Sequence, residues 1–153
     1  MSAAWERAGD QTRFAAAPVA RLATLTPEGH PHLVPVVFAL DDDRLWMAVD
    51  GKRKSSRSLQ RLANIRANPR VSLLVDHYDA DWSALWWVRA DGVARVVEAD
   101  TDEGARGIDQ LVAKYPQYQD SPPGGPVVVV EVDTWRAWSS GEPTAEGGGT
   151  DDL

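Results

Sequence analysis

A mainly antiparallel β-barrel with helices inserted between its strands is the architecture that this sequence predicts. Three observations point to it. Short runs of branched and aromatic residues recur along the chain, separated by turn signals such as TPEGHP and DDD. Only two or three segments carry a helical period, and they do not alternate regularly with the strands. The glycine-containing stretches DGVAR and GGPVVVV lack the spacing of a dinucleotide loop, so a doubly wound parallel sheet is not indicated.

Each element has its own signal. Residues 2–16 read as a helix with Trp5, Ala8 and Phe14 near one side, and Pro18 ends it. Residues 19–25 form a strand, 26–31 a turn built on Pro27 and Gly29, and 32–40 the returning strand of a hairpin. Asp41, Asp42 and Asp43 make the next turn, and 44–49 is a third strand. A helix opens near Ser55, with Leu59, Leu62, Ala63 and Ile65 on one face, and Pro69 stops it. Residues 70–78 are a strand. Residues 84–99 form a strand pair or one bent strand, with Asp91-Gly92 at the bend. A second helix spans 101–118, opened by a capping Thr101, and 126–138 is the last strand.

A length of 153 residues suits one domain. We expect it to occupy residues 1–139, with 140–153 a disordered polar tail. The net charge of -7 argues against broad nucleic-acid binding. Cysteine is absent, the first residues are charged where a secretion signal needs an apolar run, and no segment approaches membrane-span length. A cytoplasmic protein with no membrane or nucleic-acid partner is the expectation. His30, His32 and His77 have no recognised ligand spacing with nearby Asp76, Asp79 and Asp81, so no metal site is assigned.

One stretch runs against the acidic composition. GKRKSSR, residues 51–57, gathers Lys52, Arg53, Lys54 and Arg57 where a helix begins. Helix N-termini carry free N–H groups and the positive end of the dipole, so cations there repel it and each other. A phosphate resolves the conflict by accepting bonds from backbone N–H groups, from Ser55 or Ser56, and from the cations. A solvated basic turn is the alternative.

Four stretches in this order, RLATLTPEGHPHLVPVVF, GKRKSSRSL, IRANPRVSLLVD and WWVRADGVARVV, resemble the pyridoxamine-phosphate-oxidase-like split β-barrel flavoproteins. Within that group the chain is similar to the coenzyme F420-dependent oxidoreductases of actinobacteria. The resemblance implies a homodimer with cofactor grooves between subunits. It implies that Lys52, Lys54, Ser55, Ser56 and Arg57 hold the cofactor phosphate, and that Pro35, Val36 and Val37 meet the polar edge of a flavin-type ring. Pro35 by itself signals only an edge strand or a bulge. Trp86 and Trp87 alternate faces, so one belongs to the core or interface and the other can wall the pocket. Trp87 is the site candidate.

The resulting expectation is an F420-dependent oxidoreductase that moves a hydride to a small organic acceptor. FMN is the alternative cofactor, and a non-enzymatic flavin or deazaflavin carrier is the alternative role. Such cofactors carry the chemistry, which fits the lack of a conspicuous acid–base or nucleophile set. Tyr78, His77 and Arg89 are candidate proton donors without an assigned role.

Overall fold

The structure, a computed structural model, describes the backbone of residues 3–49 and 56–141, and the side chains within 9–49 and 59–141. Helix α1 (Ala3–Ala16) leads into strands β1 (Ala20–Leu25), β2 (Pro31–Val36), β3 (Ala39–Asp41) and β4 (Arg44–Ala48). Then come α2 (Ser56–Ala67), β5 (Arg70–His77), a 3-10 turn (Trp82–Ala84) and β6 (Trp86–Val97). Helices α3 (Asp102–Lys114) and α4 (Pro116–Asp120) precede β7 (Val127–Ser139).

Among the described residues seven strands form one sheet in the order β2-β1-β5-β6-β7-β4-β3, with antiparallel pairing throughout. The chain passes from one edge strand to the other through Val37 and Phe38 alone. Three Cα steps reach at most roughly 11 Å. The two edges must therefore lie together, and the sheet is curled into a split barrel with its seam at Phe38.

The hairpin expected from the sequence is present, since β1 pairs with β2, but the seam cuts its second strand short at Val36. Residues 32–40 are not one strand but two, at opposite edges of the sheet. Pro35 does sit on an edge strand, where its missing N–H costs no ladder bond. Residues 84–99 resolve as the single bent strand, with the irregularity between Asp91 and Gly92. A Cβ at Gly92 would strike the Glu131 carbonyl, so only glycine lets β6 and β7 approach this closely at the bend.

Alternation fills the barrel. Ala20 and Leu22 of β1, Val71, Leu73 and Val75 of β5, Val88, Ala90 and Ala94 of β6, and Val128 and Val130 of β7 point inward. Phe14 from α1 and Phe38 from the seam meet edge-to-face at 5.0 Å. Under α3 lies a second cluster of Trp46, Val127 and Val129. Helix α2 turns differently from the expected face. Leu62, Asn64 and Ile65 are buried, whereas Ala63 is exposed and Leu59 is 55% exposed. Asn64 pulls the helix round because its amide donates to buried Thr24 at 3.0 Å, a bond that periodicity of apolar residues does not reveal.

The second expected helix breaks in two. Thr101 caps α3 by accepting from the Gly104 N–H, as its position suggested. Pro116 then forces Tyr115 out of helical geometry, and the chain restarts as α4. Among the described residues no helix is long and apolar enough to cross a membrane.

Candidate functional site

The three ring-edge candidates lie together at the seam. Pro35 points outward, Val36 is buried, and Val37 is exposed in the link to Phe38. Lys52, Lys54 and Ser55 lie outside the described residues. Ser56 and Arg57 open α2, but their side chains are also outside them.

Residues further along α2 carry the anion-binding argument. Arg61 is half-buried, and its Nε is enclosed without a hydrogen-bond partner. Burial lowers its pKa below the usual arginine range, and the Tyr118 phenol on α4 partly offsets this by supporting the charge. A desolvated guanidinium with a spare donor is suited to a ligand oxygen. Helical projection places Arg61 outward, away from the Leu59/Leu62 face, whereas the structure half-buries it. The signal that could have drawn it inward is the tyrosine-rich KYPQY stretch after α3.

Tyr115 is tied to the seam. Its hydroxyl accepts from the Phe38 N–H at 3.0 Å and lies 2.9 Å from the carbonyl oxygens of both Phe38 and Pro18. Its ring meets Tyr118 edge-on at 5.9 Å. Sequence reading passed over Tyr115 because it took 101–118 as one helix.

The tryptophan pair separates as alternation requires. Trp86 packs against the core, stacks on His77 at 6.0 Å and lies under Arg13. Trp87 occupies the outer face with the Arg89 guanidinium 5.9 Å from its ring. Trp87 and Pro35 share that face but are separated by β5 and β1. Three strand spacings amount to about 14 Å. One protomer therefore does not bring Trp87 to the Pro35–Val37 segment.

The outer face also holds an open groove of about 520 Å³, lined by residues that include Leu25, Arg70, Ser72, Arg89 and Asp91. Its floor is self-paired: Asp91 accepts from Ser72 at 2.7 Å and from Arg89 at 3.0 Å. Around it Leu33 is 68% exposed and Val93 is also uncovered.

The candidate proton donors do not converge. Arg89 is held by Asp91, Tyr78 accepts from Trp82 Nε1 at 3.1 Å, and His77 stands 3.7 Å from Asp79. Among the described residues no group of three or more His, Asp or Glu is arranged to hold a metal. His32 faces inward opposite Thr24, with its Nδ1 enclosed and unpartnered.

Comparison with known proteins agrees with this architecture. A conserved hypothetical protein of Mycobacterium tuberculosis superposes with a TM-score of 0.70 at 25% identity, over 94% of this chain and 92% of that one. An FAD-binding protein of Mesorhizobium loti gives a TM-score of 0.64 at 21% identity, over 85% of this chain and 91% of that one. The heme storage protein of Vibrio cholerae gives 0.64 at 16% identity, over 88% and 92%. These last two likenesses concern the fold. In sequence, a 5a,11a-dehydrotetracycline/5a,11a-dehydrooxytetracycline reductase of Streptomyces rimosus is 41% identical over 56 residues, which are 37% of this chain and 38% of the relative. The chain thus matches well under half of that relative. The family model for pyridoxamine 5'-phosphate oxidase matches residues 10–139, nearly the whole described barrel. The chain belongs to the pyridoxamine 5'-phosphate oxidase family.

Proposed function

We propose that this protein is an oxidoreductase that binds a flavin-type cofactor with an anionic tail, coenzyme F420 in preference to FMN, and serves a small organic acceptor. The observation that carries the reading is Arg61: a half-buried guanidinium with an unpartnered Nε, on the helix that follows the basic stretch, in a chain of this family. The reductase relative supports oxidoreductase chemistry, and the F420 preference rests on the sequence resemblance and the number of cations.

When bound, such a cofactor supplies hydride transfer. This chain's residues do the rest. Arg61, with Lys52, Lys54, Ser55, Ser56 and Arg57, binds the anionic groups. The Pro35–Val37 backbone meets the ring edge. The exposed outer face, with Leu33 and Val93, packs against a second copy of the chain, which brings Trp87 to its partner's groove and excludes water there.

The test is direct. The purified protein is titrated with F420 and with FMN while tryptophan fluorescence is followed, and the reduced complex is offered a panel of acceptors. Saturable binding with F420 the tighter ligand, and oxidation of the reduced cofactor, are expected. FMN as the tighter ligand would move the assignment to the flavin. Binding without turnover would leave a carrier, and no binding of either would remove the reading.

A further inference from the structure

The contacts of Tyr115 reach beyond what a core phenol needs. One partner would satisfy a half-buried hydroxyl, yet this oxygen lies within 3.0 Å of three backbone atoms on two separate segments, at Pro18 and Phe38. Pro116 is what aims it there, because it holds Tyr115 extended at φ -112 and ψ 114. Phe38 immediately follows Val37, so the bond to its N–H fixes the end of the Pro35–Val37 segment. On the other side the Tyr115 ring meets Tyr118 edge-on at 5.9 Å, which holds the phenol in place.

We propose that Tyr115 is a positioning residue of the ligand site: through its bonds to Phe38 it holds the Pro35–Val37 backbone, the ring-edge half of the site, in one fixed place. This rests on the functional reading above. A ligand that reaches the Pro35–Val37 backbone gains from its fixed position, whereas a ligand held by the cations alone does not. The clamp therefore discriminates an intact cofactor from its anionic fragment.

Tyr115→Phe deletes the hydroxyl and keeps the ring against Tyr118. Parent and variant are titrated with FMN, with F420 and with inorganic phosphate, and the visible circular dichroism of bound FMN is recorded. The variant should bind both cofactors about tenfold more weakly, the order expected when a buried N–H loses its acceptor. Phosphate affinity should not change, and the dichroism of the bound ring should. A lower melting temperature with unchanged cofactor affinity and unchanged dichroism would reduce Tyr115 to a structural staple and overturn the proposal. A parent that bound neither cofactor would instead overturn the functional reading, and the clamp's ligand role with it.

Discussion

The ammonium of Lys114 lies 3.7 Å from the centre of the Phe38 ring and donates to the Ala17 carbonyl at 2.7 Å. Both contacts favour the charged form. Burial outweighs them and lowers the pKa from 10.5 to about 8. The folded state therefore binds this proton less tightly than the unfolded chain does. Between pH 8 and 10.5 the unfolded state holds more protons at Lys114, so this residue's contribution to stability rises with pH through that window. The gain, parent against Lys114→Met, should be of the order of 1–3 kcal/mol. Denaturant unfolding of both proteins at pH 7.5 and about pH 10 reads it, and parallel pH profiles would show that the shift is absent.

Arg61→Ala should weaken binding of F420 and of FMN by roughly 1–3 kcal/mol, the range for a charge-assisted hydrogen bond. Folding should not suffer, because the enclosed Nε has no partner to lose. Lys54→Ala and Arg57→Ala should reduce affinity similarly and flatten its fall with added salt. Titrations at two ionic strengths test all three. A triple variant that bound like the parent would leave the basic stretch a solvated turn.

Leu33→Glu tests the second copy. Leu33 projects from the edge strand onto the outer face, 68% exposed. A charge there should cost nothing in a lone barrel but should oppose burial against a partner. Sedimentation at micromolar concentration should show a two-chain parent and a one-chain variant, with weaker cofactor binding in the variant. A parent that sediments as a single chain would contradict the shared groove.

Gly107→Ala probes the cluster under α3. A Cβ at this buried position would press on the Trp46 ring and lie 3.0 Å from Val127 Cγ1. Overpacking should destabilise by about 1–3 kcal/mol, despite alanine's better helix propensity. Thermal unfolding decides the sign, and a raised melting temperature would mean that α3 lifts freely from the sheet.

Much of the fold was legible because its causes are local. Short runs of branched and aromatic residues marked β1, β4, β5 and β7; Thr101 marked the start of α3; Asp91-Gly92 marked the bend in β6. The basic stretch at 51–57 and the cations along α2 were visible as charge alone. What the sequence could not determine was set by packing between distant segments. The division of 32–40 into two edge strands follows from barrel closure, which no local period encodes. The rotation of α2 follows from the bond between Asn64 and Thr24, 40 positions apart. The meeting of Tyr115 with Phe38 spans 77 positions. Tertiary structure alone decided these, because a buried polar group takes its partner from whatever the fold brings near, and that partner carries no signature in the surrounding sequence.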